Sequence, residues 1–189
     1  MKPQRRLKVG DKIPDFWTRD IHGSEIDSRE FTGNTLVVFL RYAGCPFCNL
    51  AIARLSKEYT LLKQNKCDVV AFVQSTESNI ESNIIQRQEL TPPFPIVSDQ
   101  PQDIYKLFGV APNIVKTAHY TAKNAAHWVD AAMRKGYQQA NIDGSAFIVP
   151  AYFLVDKRGV VQIADYGASF YDDSVFTPIY EYLTFGAEL

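Results

Sequence analysis

Two short segments, Leu36-Val37-Val38-Phe39-Leu40 and Val69-Val70-Ala71-Phe72-Val73, are unbroken runs of apolar, mostly β-branched or aromatic residues. Such runs predict strands buried on both faces, in the middle of a sheet. Between them Ile52, Leu55, Tyr59 and Leu62 recur at helical spacing, and Pro46 stands where a first helical residue needs no N–H. The three elements predict a β-α-β unit with parallel strands. Ile80, Ile84 and Gln88 predict one face of a second helix, with Ser75 and Thr76 as capping candidates, before Pro92, Pro93 and Pro95 break the chain. Ile104, Leu107 and Phe108 mark a short helix that Gly109 can end. Asp156 to Gly159 is expected to form a tight turn joining strands Ala151–Val155 and Val160–Ala164 as an antiparallel hairpin. Phe176, Ile179, Tyr180 and Leu183 predict a closing amphipathic helix, so the order is β-α-β-α, then β-β-α.

One stretch lies outside this pattern. Ile114, Ala118, Ala122, Ala125, Val129 and Ala132 repeat at three-and-four spacing, and most are small enough for a helix to approach a neighbour closely. Residues 111–145 are therefore expected to be a helical insertion before the hairpin. With no internal repeat or linker, residues 1–189 are read as a single domain.

Composition narrows the function classes. An apolar fraction of 46% in 189 residues can build one buried core without staples. The formal net charge is −1 with scattered basic residues, which predicts neither a nucleic-acid footprint nor a membrane-surface patch. Lys2, Arg5, Arg6 and Lys8 form the only basic cluster, and no apolar segment follows it as in a secretion signal. The expected location is the cytoplasm, where three cysteines are too few for a disulfide scaffold and a close pair favours reversible chemistry.

That pair is Cys45 and Cys48, in Arg41-Tyr42-Ala43-Gly44-Cys45-Pro46-Phe47-Cys48. The segment ends a buried strand and starts a helix, which puts the first sulfur at a helix N-terminus. Unpaired amide N–H groups and the helix dipole stabilise an anion there, so Cys45 is the expected nucleophilic thiolate. Cys48, one turn deeper on the same side, is the expected resolving thiol. A C-x-x-C also occurs in zinc sites, but tetrahedral zinc needs four ligands, and Cys67, His22, His119 and His127 are scattered. Cys67 is expected to be a packed side chain.

Ile148-Val149-Pro150-Ala151-Tyr152 places a proline directly before an apolar strand. An ordinary trans proline can open a strand. A cis bond at Pro150 beside Cys45 would instead free the Val149 backbone to pair with an extended substrate. Tyr120, His127 and Trp128 on the insertion either pack and face solvent or shape the approach to the thiols.

Val9 to Phe16, Asp20-Ile21-His22-Gly23 and the strand ending at Cys45 resemble the opening of the alkyl hydroperoxide reductase and thiol-specific antioxidant (AhpC/TSA, redoxin) family, the peroxiredoxins and their relatives. Tyr152 to Gly159 and Ala164-Asp165-Tyr166-Gly167 resemble its closing strands, particularly those of a peroxiredoxin-like branch that carries C-x-x-C. The resemblance implies an α/β thioredoxin fold: a central mixed β-sheet flanked by helices, with an N-terminal β extension and the helical insertion. It also favours the cis form of Pro150. Two departures stand out. With Cys48 matched to the peroxide-reactive cysteine, Cys45 occupies the place of the peroxide-orienting threonine, and Pro150 that of the active-site arginine. Arg41 is a candidate substitute, against the ordinary expectation of a solvated arginine at a strand end.

The expected function is thiol-disulfide exchange by Cys45 and Cys48, with Val149, Pro150 and Arg41 positioning a protein or small-molecule disulfide. The alternatives are a thiol peroxidase acting on hydrogen or organic peroxides, and a non-catalytic binding protein with structural thiols. No cofactor or metal is expected beyond an external thiol reductant, and no nucleic-acid or membrane partner. Because dimers are common among the relatives, a homodimer is the assembly the resemblance implies.

Overall fold

The computed structural model describes residues 5–87, 89, 91–129, 133, 136–137, 139–171 and 173–186. Lys2, Gln88, Ala132 and the side chain of Trp128, all named above, lie outside the description. An N-terminal hairpin of β1 (Trp17–Arg19) and β2 (Glu25–Asp27) precedes β3 (Asn34–Phe39), α1 (Pro46–Gln64) and β4 (Cys67–Val73). Then come α2 (Glu77–Ile80), β5 (Ile96–Ser98), α3 (Asp103–Leu107), α4 (Ile114–Lys123) and α5 (Ala125–Val129). The chain closes with β6 (Ala151–Val155), β7 (Val161–Asp165) and α6 (Phe176–Phe185). Five strands form a mixed sheet in the order β5-β4-β3-β6-β7. β3 pairs parallel with β4 and antiparallel with β6, which puts it at the centre of the sheet.

The apolar runs hide a period-two alternation that the fold uses on both sides. Leu36, Val38, Val69, Ala71, Val73, Tyr152 and Leu154 face one core with α1 and α6, where the two thiols also lie. Val37, Phe39, Val70, Phe72, Phe153 and Val155 face a second core with Phe16, Tyr105 and Phe108. Since successive strand residues point to opposite faces, a strand covered on both sides must be apolar throughout. The Tyr105 hydroxyl, fully buried, sits against the carbonyls of Leu40 and Phe72, pinning the chain where β3 passes into the cysteine loop.

The second predicted helix is present but changes pitch. Thr76 caps α2 by accepting the Asn79 N–H at 3.3 Å, and Glu81–Gln86 continue as a π-helical segment, with Ile80 and Ile84 buried. The hairpin turn also forms as expected: the Asp156 carboxylate accepts the Arg158 and Val160 N–H groups, and Gly159 supplies a φ of 76°.

The insertion corrects two expectations. Among the described residues helix covers α4, α5 and the π-helical Met133, and residues 139–147 return without regular structure. The stripe of Ile114, Ala118, Ala122, Ala125 and Val129 is exposed, not packed. The face turned inward carries Thr117, Tyr120, Asn124 and His127 instead, again at three-and-four spacing. Alanine methyls offer little area to bury, whereas one tyrosine ring buries far more and its hydroxyl can still find a partner.

Candidate active site

The loop between β3 and α1 is held at each residue by a polar contact. Gln74 N–H donates to the Arg41 carbonyl (2.8 Å), Ala43 N–H to Ser75 Oγ (2.8 Å), and Cys45 N–H to the Tyr42 carbonyl (3.1 Å). The buried Asn49 amide donates to the carbonyls of Ala43 (2.7 Å) and Cys45 (3.0 Å). Cys45 is thereby set in extended backbone (φ −84°, ψ 123°) as the residue capping α1, with Pro46 following. No side-chain hydrogen bond of the usual serine kind caps the helix here, but the Phe47 and Cys48 N–H groups of the first turn favour an anion at the Cys45 sulfur.

Cys45 and Cys48 approach to 3.7 Å, both reduced and both buried. Burial is the largest influence on Cys45 and opposes ionisation. It is outweighed by the Cys48 thiol hydrogen bond, the charge of Arg41, and the N–H groups of Cys48 and Phe47, which bring the thiol down to about 6. Cys48 moves the opposite way, pushed well above the ordinary thiol range by burial, by its hydrogen bond to Cys45 and by the Cys45 charge. Two chemically identical residues are thus shifted in opposite directions, Cys45 toward the thiolate and Cys48 toward the thiol.

Arg41 is not the solvated arginine expected of a strand end. It is 7% exposed, its guanidinium carbon lies 5.3 Å from the Phe47 ring centroid, and Nη1 donates to the Ala146 carbonyl at 3.4 Å. Its Nε has no hydrogen-bond partner, and no carboxylate pairs with it among the described residues. Burial works against its charge, while Cys45 and then Cys48 favour it. A buried cation requires a counter-charge, and ionisation of Cys45 is what its charge favours.

The returning segment 139–147 covers Arg41 and the loop that leads to Cys45. Ala140 N–H donates to the Gly44 carbonyl (3.0 Å), and a Cβ on Gly44 would stand 2.7 Å from the Asn141 carbonyl oxygen, so only glycine admits this approach. The Asp143 carboxylate accepts from Ser75 Oγ (2.6 Å), Thr76 N–H (3.1 Å) and Asn79 Nδ2 (2.7 Å), latching the segment to the end of β4. From the other side Phe47 packs against Tyr120 and Tyr171, whose hydroxyls hydrogen-bond to each other. His127 lies 5.2 Å from the Tyr171 ring. Sequence reasoning singled out Tyr120 and His127 but missed Asp143 and Tyr171. Asp143-Gly144 carries only a turn signal, and Tyr171 follows the hairpin with no motif around it.

Val149 packs in the same apolar cluster as Cys45, and its backbone makes no hydrogen bond to another described residue. The Val149–Pro150 peptide is trans, which corrects the expected cis form. The Pro150 carbonyl accepts Ala168 N–H at 3.0 Å, so the chain enters β6 extended from Ala151 and needs no sharp reversal there. Cys67 lies at the opposite end of β4, buried, with its thiol pushed up to about 12 chiefly by burial. No cluster of three or more histidine, cysteine or acidic side chains occurs among the described residues.

A mixed sheet with a cysteine pair opening the helix after its central strand defines the thioredoxin fold, and solved structures agree. Mycobacterium bovis AhpC superposes with a TM-score of 0.65 at 18% identity, covering 97% of this chain and 96% of that one. A putative thiol:disulfide interchange protein DsbE from Chlorobium tepidum gives 0.63 at 18% identity, covering 94% and 99%. The sequence profile of the AhpC/TSA family matches residues 9–164, and the chain belongs to that family. Among curated relatives, the thiol-disulfide oxidoreductase ResA of Bacillus thuringiensis subsp. konkukian is 24% identical over 111 residues, 58% of this chain and 62% of that protein. The match thus spans less than two thirds of that relative's length.

Proposed function

We propose that the chain is a thiol-disulfide oxidoreductase. The observation that carries this reading is the approach of Cys45 and Cys48 to 3.7 Å with their thiols shifted in opposite directions. The Cys45 thiolate attacks one sulfur of a substrate disulfide, forms a mixed disulfide and expels the other half as a thiolate, which takes a proton from solvent. Cys45 then carries no charge, so two of the influences holding Cys48 protonated disappear. What remains for Cys48 besides burial is the Arg41 charge and the Arg41 N–H at 3.2 Å, both favouring its thiolate. Cys48 loses its proton and attacks Cys45, releasing the second thiol and forming the Cys45–Cys48 disulfide. The substrate is reduced by two electrons and the protein oxidised by two; an external thiol resets the pair. Our reading takes the cytoplasm as the compartment, since its thiol pool can supply that reductant.

Val149 is assigned to substrate positioning, because its unpaired backbone groups suit an extended substrate and it packs in the cluster that holds Cys45. Pro150 holds that stretch at the mouth of β6. Displacement of segment 139–147 is the step that admits the substrate disulfide to the buried sulfurs.

One observation favours a second reading. The unpartnered Arg41 Nε beside a thiolate could receive a peroxide oxygen, with Cys45 oxidised to a sulfenate, an alcohol or water released, and Cys48 condensing with loss of water. Rapid-mixing oxidation of the reduced protein decides between the two. Faster reaction with hydroxyethyl disulfide than with hydrogen peroxide, and a Cys45 mixed disulfide trapped in Cys48→Ser, support disulfide exchange. The reverse order of rates without a trapped adduct overturns it.

A further inference from the structure

Between α4 and the closing hairpin lies a cleft of about 400 Å³ that no step above uses. Its floor is apolar, made by Val149 and Tyr166, with the buried Tyr120 as inner wall. Lys116, His119 and Lys123 line its outer side, brought together by three-and-four spacing on α4. An adjoining crevice shares Lys116, Val149 and Tyr166 and adds Arg6, whose guanidinium stacks over the Tyr166 ring at 4.8 Å. Among the described residues no acidic side chain lines either cavity. Asp165 feels Lys116 and Lys123, its carboxyl held above its usual range chiefly by burial, and Asp11, which acts on Tyr166, is already paired with Arg5 at 2.9 Å. With Asp11 matched by Arg5, Asp165 is left against Arg6, Lys116 and Lys123, an excess of positive charge among the described residues around an apolar floor.

We propose that this cleft binds the carboxylate-bearing half of a low-molecular-weight disulfide. The proposal rests on the disulfide-exchange reading and narrows its substrate to an anionic small molecule. The volume suits a ligand of a few residues, not a folded partner. The lysines supply charge complementarity at the rim, where they raise the encounter rate and orient the ligand. Val149 joins the two sites: it floors the cleft, packs in the cluster that contains Cys45, and offers unpaired backbone groups between them. An anionic group seated on the lysines directs the rest of the ligand past Tyr120 toward the thiols.

The test separates binding from chemistry. Titration calorimetry on Cys45→Ser/Cys48→Ser uses dithiodipropionate, which is dianionic, and cystamine, which is dicationic, at low ionic strength. Dithiodipropionate is expected to bind at least about tenfold more tightly than cystamine. Lys116→Gln/Lys123→Gln in the same background should erase that preference, whereas Lys157→Gln, on the exposed hairpin turn, should leave it intact. Equal affinity for the two probes, or equal loss from both lysine changes, overturns the proposal. Turnover of neutral hydroxyethyl disulfide by the unmodified protein reads the exchange reaction itself. Its absence would strike that reading while leaving the calorimetric result to stand or fall separately.

Discussion

The backbone N–H of Arg41 donates to Cys48 Sγ at 3.2 Å, so the end of β3 is tethered to the first turn of α1 through the deeper sulfur. The Arg41 side chain acts on the other sulfur through its charge. One residue therefore touches both halves of the pair, and the consequences can be measured.

Thiolate absorbance of the reduced protein should titrate near pH 6 and belong to Cys45 alone. Cys45→Ser abolishes that transition. Cys48→Ala raises its midpoint, because the side-chain hydrogen bond that most favours the anion is gone. Since the folded value is depressed from 9.0 to about 6, the associated stability is fully present above pH 9 and is lost as pH falls toward 6. Urea unfolding at pH 6 and pH 8 should show wild type gaining more stability with rising pH than Cys45→Ser does.

Arg41→Met removes the charge but keeps much of the packing against Phe47. The Cys45 midpoint should rise by about one unit or more, equivalent to about 1.4 kcal/mol per unit. Arg41→Lys should recover part of the shift. An unchanged midpoint in the methionine variant would show that the N–H groups and Cys48 suffice.

Asp143→Ala breaks the latch to Ser75, Thr76 and Asn79. Loss of about 1–3 kcal/mol of stability is expected from the partners left buried. Iodoacetamide should then reach Cys45 faster at constant pH, and protease should cut within 139–147 more readily. If alkylation is not accelerated, segment 139–147 does not limit access.

Cys67→Ala should leave disulfide turnover unchanged. A thiol pushed up to about 12 and buried at the far end of β4 carries negligible thiolate at neutral pH. Mass spectrometry after native alkylation should find Cys67 unmodified.

Much of the frame was legible in the residues. The apolar runs at Leu36 and Val69, Pro46 at the helix start and the Asp156–Gly159 turn each report local backbone preference or two-sided burial, which short stretches encode. The stripe of Ile114 and Ala118 misled because spacing shows which residues share a helix face but not which face the neighbours cover. Tyr120, offset from that stripe, won the interior through its ring and through Tyr171, a residue 51 positions away. The burial of Arg41 was not legible for a related reason, since nothing near it in the chain shows that Ala146 returns to cover it.

The chain by itself determined the β-α-β core and the setting of Cys45 and Cys48 at a strand-to-helix junction, because helix and strand periodicities and one proline act over a few residues. Tertiary structure alone decided that Arg41 is buried beside them, that the two thiols are pushed in opposite directions, and that residues 139–147 close over the loop that carries them. Those outcomes depend on desolvation and on charges brought together across long separations in the chain. Such energies exist only once distant segments have met.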